Sequence, residues 1–153
     1  WLCLHGCLPV RELLYRHGLT RAPVCPRIGC LHDETIRHVM WDCTFASEGW
    51  KRANKWLVQL VPGFHLTWSV VKRGVSLGRT MVLTWLIVSL VKRGLWRARQ
   101  DLVNNKEVSV EGVVKRIELE LKGRIKMDIR KWGKHAALER WKGGLGLRGI
   151  PWD

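Results

Sequence analysis

CPRIGCLHDETIRHVMWDC, residues 25–43, opens with two cysteines and closes with a histidine and a third cysteine. The spacing is C-x4-C-x7-H-x4-C, which sets out Cys25, Cys30, His38 and Cys43. Structural zinc sites take four ligands in a tetrahedron, and three thiolates with one imidazole is a common set. The first pair must lie on a tight loop that turns both sulfurs inward. The proline and glycine of PRIG, residues 26–29, suit such a loop. The second pair must come from a separate element, and a helix starting after Asp33 supplies one. Asp33 suits its N-cap, Glu34 is favoured by the dipole at its start, and Ile36, Val39 and Met40 form its apolar stripe.

Helical geometry then sets a condition on the metal. His38 lies about 200° around the helix from Ile36, off the stripe on which a core histidine would sit. If the helix continued unbroken, Cys43 would stand about 140° from His38 and about 7.5 Å further along the axis. One ion cannot span that. A metal therefore requires the helix to break at Asp42 or Cys43, with Thr44 capping a new one. The competing reading treats the cysteines as small buried apolar residues. The paired order of ligands within this short stretch favours a metal. The soft donors and the lack of any redox signal favour zinc. Four protein ligands leave no open position, so the expected role of Zn2+ is structural. Cys3, His5 and Cys7 form a second group. Packing is the expected role of its cysteines, and an alternative ligand the lesser one. No role is assigned to His17, His32, His65 or His135.

The chain has 153 residues, a size for one ordinary domain or two small ones, and its 46% apolar content rules out a disordered chain. It begins with Trp1 rather than Met, so a piece of a longer product is expected. The start lacks the basic n-region of a secretory signal. Five cysteines, an odd number, argue against a disulfide framework and for reduced thiols. Met81 to Val91 is apolar but only 11 residues long, against the roughly 20 that cross a bilayer. It is expected to be a buried helix, not a membrane span.

The remaining elements are also helical. Pro9 opens a short helix over 9–17, and Gly18 stops it. FASEGWKRANKWLVQL, residues 45–60, carries the candidate core residues Phe45, Trp50, Leu57 and Leu60, and ends at Pro62 and Gly63. Residues 61–78 are a connector with an extended piece at FHLTWSVV. A long helix spans roughly 79–103 and contains Gly94, whose cost in a helix calls for close packing against a neighbour. NNK, residues 104–106, closes it. The last helix begins near Ser109, with a stripe of Val110, Val114, Ile117, Leu121, Ile125, Ile129 and Trp132. Glu111–Lys115, Glu118–Lys122 and Glu120–Arg124 stand at i,i+4 along it. The expected fold is all-α: a small zinc-stapled module at 1–60, the connector at 61–78, a basic helical region at 79–142, and a glycine-rich tail at 143–153.

Lysine and arginine number 27 against 13 acidic residues, a formal charge of +14. A domain this basic is expected to meet a polyanion, nucleic acid first and an anionic membrane face second. Candidate contacts lie around the ligands (Arg11, Arg16, Arg21, Arg27, Arg37) and on the next helix (Lys51, Arg52, Lys55). Others follow on the long helix (Arg93, Arg97, Arg99) and on the last one (Arg124, Lys126, Arg130, Lys131, Lys134). A solvated helix face explains any one of them; the excess as a whole is harder to dismiss. Of the ten tryptophans, Trp50, Trp56 and Trp85 read as core, while Trp41 shares the His38 face and is placed to shield a metal.

Two quoted runs carry a family resemblance. W..LHG.LPVRELLYRHGL, followed by CPRIGC....DETIRHVMWDC.FA...W, resembles the zinc-binding region behind the reverse transcriptase in polyproteins of non-long-terminal-repeat retrotransposons. The likeness is strongest over residues 1–60 and continues weakly through SLVKRGLWRARQDLV. Within 25–50 the ligands, the ET..H between them and the Phe-Ala…Trp after the last cysteine all match. Family members often have two residues between the first cysteines, where this chain has four. The resemblance implies that Cys25, Cys30, His38 and Cys43 hold the ion and that the region helps hold template RNA or target DNA. It also implies an upstream polymerase as partner, and an intracellular protein with nuclear and cytoplasmic phases. No [FY]xDD pair, P-loop or GxSxG is present, so the chain alone is expected to catalyse nothing. The alternatives are a structural module that packs on the polymerase through the last helix's apolar stripe, and a degenerate copy without present function.

Overall fold

Helices account for the regular structure of the computed structural model, which describes residues 2–74 and 79–141. In chain order they are α1 (Arg11–Arg16), a π turn (His38–Asp42), α2 (Thr44–Leu60), α3 (Trp68–Arg73), α4 (Arg79–Val103), α5 (Val110–Trp132) and α6 (Lys134–Arg140). One isolated antiparallel bridge, Val24 to Asp33, is the extended pairing among the described residues. The chain is all-α.

The apolar run at 81–91 falls in α4, the middle helix. Leu83, Ile87, Val88, Val91, Leu95 and Ala98 are buried there at spacings of four, one and three, the stripe of a helix covered on much of its circumference. On one side lies α2, which buries Ala46, Gly49, Trp50, Ala53, Leu57 and Leu60. On the other lies α5. A Cβ at Gly94 would stand 2.9 Å from Val113 Cγ1 and 3.3 Å from Ile117 Cδ1. Glycine thus lets α4 and α5 close on each other, and the contact offsets its propensity cost of about 1 kcal/mol. No helix among the described residues is long and apolar enough to cross a membrane.

Helix boundaries follow local chemistry. Ser109 caps α5 by accepting the Gly112 N–H at 3.1 Å. Asn105, at φ 58°, takes the left-handed conformation that closes α4. The short helix expected over 9–17 is α1, Arg11–Arg16, with Pro9 ahead of its N-cap Val10, and further details of the helices also differ from the sequence expectations. The 61–78 connector contains a helix, α3, because the Thr67 hydroxyl accepts the Val70 N–H and starts a turn. The buried line of α5 is Val113, Ile117, Leu121 and Ile125; Val110 and Val114 are only half-buried and Trp132 is exposed. The neighbouring helix explains the shift, since the slot at Gly94 takes Val113. Finally, Glu111 pairs with Arg52 of α2, and Glu120 with Arg93 of α4, rather than with Lys115 and Arg124 along the same helix.

The core does not stop at the boundary drawn from sequence. Cys25 and Cys43 belong to the same apolar cluster as Leu57, Ile87, Leu95 and Leu121. A smaller cluster of Cys3, Leu8, Val10, Val39 and Met40 seats the N-terminal segment on the 25–43 stretch. Glu34 adds a polar tie. Its side chain is fully buried and accepts from Arg99 Nη2 at 2.6 Å, from Arg99 Nε at 3.1 Å and from the Arg11 N–H at 2.8 Å. One carboxylate thus joins the start of α1, the cysteine-rich loop and α4. The cysteine module and the basic helices share one interior. The glycine-rich tail lies outside the described residues.

Candidate metal centre

The first two cysteines stand on a short hairpin-like loop. Val24 and Asp33 bridge its base, and the Cys25 N–H donates to His32 O at 2.9 Å. At its tip the Cys30 N–H donates to Arg27 O at 3.0 Å, with Gly29 at φ 76°. That is the turn in which the third residue needs a positive φ, and glycine meets the need without strain. The loop returns Cys30 towards Cys25, as expected from PRIG.

The second pair depends on the π turn. Thr35 Oγ1, rather than Asp33, accepts the His38 N–H at 2.9 Å and starts the helical segment; Asp33 is held in the bridge. The Cys43 N–H then donates to His38 O at 2.9 Å, a bond spanning five residues instead of four. One residue is thereby added to the turn, so Cys43 returns over His38 rather than rotating away from it. At Cys43 the backbone leaves the helix (φ −60°, ψ 137°) and α2 begins at Thr44. The required break is present, with Cys43 itself at the N-cap and Thr44 as the first helical residue.

These two devices bring Cys25 Sγ, Cys30 Sγ, the His38 ring nitrogen and Cys43 Sγ within 4.8 Å of one another. Cys30 Sγ and His38 Nε2 are 3.3 Å apart. Cys25, His38 and Cys43 are buried, and Cys30 is half-buried. The four side chains form a group that could hold a metal ion. Cys25 and Cys43 share a hydrogen bond, which pushes the Cys43 thiol down to about 5 and, with burial, raises Cys25. A bound cation would hold the sulfurs as thiolates.

Two neighbours could not be found from ligand spacing. The His32 ring stacks on His38 with centroids 5.7 Å apart, although sequence assigns it no role. Arg27 places its guanidinium 3.4 Å from the Phe45 ring centroid. Burial pushes that guanidinium below its ordinary value, and attraction to Cys43, Cys25, Glu34 and Cys30 opposes the shift. Three thiolates around a divalent ion leave one net negative charge, which Arg27 is placed to offset. The Phe-Ala after Cys43 was the visible signal, for Phe45 is the surface on which Arg27 lies. Cys3 packs in the smaller core cluster, and Cys7 is exposed.

The expected nucleic-acid contacts fall into four groups, the first being Arg27, which lies half-buried on Phe45. Arg99 is a correction: it is 6% exposed and committed to Glu34, because α4 turns it inward onto the cysteine-rich loop. Others lie near the surface with partners. Arg11 donates to Val24 O at 3.1 Å, and Arg16, Arg37, Lys51 and Arg52 pair with Glu12, Asp42, Glu48 and Glu111. Arg21, Arg97, Arg130 and Lys131 are exposed. Of the tryptophans expected in the core, Trp50 and Trp56 are buried while Trp85 is 37% exposed. No known protein family, curated protein or solved structure matches the chain.

Proposed function

We propose that this chain is a zinc-stabilised nucleic-acid-binding accessory domain of a retrotransposon reverse transcriptase polyprotein, holding RNA or target DNA during reverse transcription. One observation carries the reading: a closed Cys3His group within 4.8 Å, on a chain of formal charge +14. The donor set fits zinc. Zn–S bonds of about 2.3 Å in a tetrahedron put sulfurs about 3.8 Å apart, so a small contraction of the group suffices. Zinc there would supply rigidity to the loop and the π turn, with no position left for a substrate. The basic surface would then bind phosphates with little regard to sequence. The retrotransposon part of the reading is supported by the pattern of residues 1–60 quoted above. It carries with it a chain that catalyses nothing by itself and works inside the cell, in nuclear and cytoplasmic phases.

The test is binding of zinc-loaded protein to labelled RNA and DNA over a salt series. The logarithm of affinity should fall linearly with the logarithm of salt, by about 0.7–0.9 per phosphate neutralised. An affinity that is flat with salt, or no binding at all, overturns the reading.

A second reading, docking on an upstream polymerase, gains from one observation and loses another. The buried line of α5, Val113, Ile117, Leu121 and Ile125, is turned into the core, with Val113 and Ile117 against Gly94 of α4. However, Ile28 and Leu31, beside the metal ligands, are 95% and 86% exposed. Capture of the polymerase domain by nuclease-treated protein, abolished by Ile28→Ser with Leu31→Ser, would favour this reading.

A further inference from the structure

Charge is unevenly spread along α5. In its first half, Glu111 and Glu120 answer Arg52 and Arg93 on neighbouring helices, and Arg116 stands 3.7 Å from Asp101 of α4. From Lys122 to Arg140 the chain carries seven lysines and arginines against two acidic residues, Asp128 and Glu139. Asp128 is turned inward. It is 3% exposed and accepts the Trp141 Nε1–H at 3.0 Å, with its other oxygen 3.6 Å from Arg124 Nε. Arg124 is thus paired with Asp128, while Arg130, Lys131, Lys134 and Arg140 stand exposed on this end of the molecule.

An aromatic ring stands among them. Where α5 gives way to α6, at Gly133, Trp132 is left 38% exposed. The Arg140 guanidinium carbon lies 4.4 Å from its ring centroid, and Lys131 Nζ lies 5.3 Å away. These residues, with Arg124, Met127, Asp128 and Arg130, line an open pocket of about 660 Å³.

We infer that this corner binds unpaired nucleic acid: a base stacks on Trp132, and the flanking phosphates are held by Arg130, Lys131 and Arg140. The inference deepens the nucleic-acid reading and rests on it. In the free protein Arg140 occupies the ring. An exposed cation–π contact is weaker than base stacking on an aromatic platform, and a guanidinium gains more from a phosphate, which it grips with two parallel bonds. Strand entry thus exchanges one weak contact for two stronger ones. Bases in a duplex are stacked on each other and offer no face to an indole, so the ligand is single-stranded. Neither contact involves the 2′ position, so RNA and DNA fit alike.

The experiment is fluorescence anisotropy of labelled single strands of about 12 nucleotides, as RNA and as DNA, beside a duplex of the same length. The full zinc-loaded chain is compared with Trp132→Ala, Trp132→Phe and Arg140→Gln, each checked for unchanged melting. Trp132→Ala should weaken both single strands about tenfold and leave the duplex within about twofold, while Trp132→Phe keeps most of the affinity. Arg140→Gln should weaken single strands and lower the salt slope by about one. Should Trp132→Ala fail to fold, the Phe and Gln variants carry the test. Unchanged single-strand binding in Trp132→Ala and Arg140→Gln, or an equal loss on the duplex, overturns the site but not the broader reading. Binding to neither probe overturns both.

Discussion

Arg99→Met removes one partner of a buried ion pair while keeping most of its aliphatic bulk. In the native chain the Glu34 carboxylate is fully buried and takes hydrogen bonds from Arg99 Nη2 at 2.6 Å, Arg99 Nε at 3.1 Å and the Arg11 N–H at 2.8 Å. The substitution leaves that charge in the interior with one backbone donor. Breaking a buried pair from one side costs about 3–5 kcal/mol, whereas an exposed pair is worth about 0.2–1 kcal/mol. With a urea m-value of about 2 kcal/mol/M, the unfolding midpoint should fall by about 2 M. The assay is urea unfolding of zinc-loaded protein, followed by tryptophan fluorescence and circular dichroism. Glu34→Gln in the same background removes the stranded charge, so the double variant should recover about 1–3 kcal/mol relative to the sum of the singles. A loss under about 1 kcal/mol for Arg99→Met, with strict additivity in the double variant, would refute a buried tie between the cysteine-rich loop and α4.

Helix packing predicts opposite signs for two glycines. Gly94→Ala should cost about 1–3 kcal/mol, since its Cβ meets Val113 Cγ1 at 2.9 Å, while Gly123→Ala on α5, with nothing within 4 Å, should gain about 0.5–1 kcal/mol; equal effects in thermal melts would contradict the close crossing. Cys30→Ser should abolish metal binding and unfold the cysteine-rich segment, because structural zinc is worth about 10–16 kcal/mol in finger peptides, as much as a whole domain's stability. Cys7→Ser, at an exposed site where the thiol donates to His5 O at 3.4 Å, should melt as the parent does. Acid should strip the metal: the ligand sulfurs must be thiolates to hold it, so protons compete with the ion for Cys25, Cys30 and Cys43 and the stability that binding gives is present at neutral pH and lost as the pH falls. A chromophoric chelator should read zinc release between about pH 7 and pH 4, and full retention at the acid end would count against thiolate ligation.

What the sequence made legible was local. The four ligands lie close together in the chain, and the turn PRIG, the off-stripe histidine and the required break before α2 all follow from spacing. Ser109 and the two asparagines after Val103 announce the ends of α4 and α5 by capping chemistry. What stayed hidden depends on partners far away or on backbone detail. Glu34 and Arg99 are 65 residues apart, and nothing in either neighbourhood signals the pair. The widened turn has no residue in HVMWD that demands it. The buried line of α5 is chosen by Gly94 on another helix, so periodicity alone placed it one residue off at Val114. The start of α3 carried a signal in Thr67, but the β-branched Val70 and Val71 made that stretch read as extended. Trp132 matched a stripe by spacing, yet the chain turns at Gly133 and leaves it in solvent.

X-ray absorption at the zinc edge of the purified chain tests the convergence of those four side chains most directly. Stoichiometric zinc with three sulfurs at about 2.3 Å and one nitrogen at about 2.0 Å is the expected shell. Substoichiometric zinc, or a shell of oxygen and nitrogen without sulfur, would contradict it.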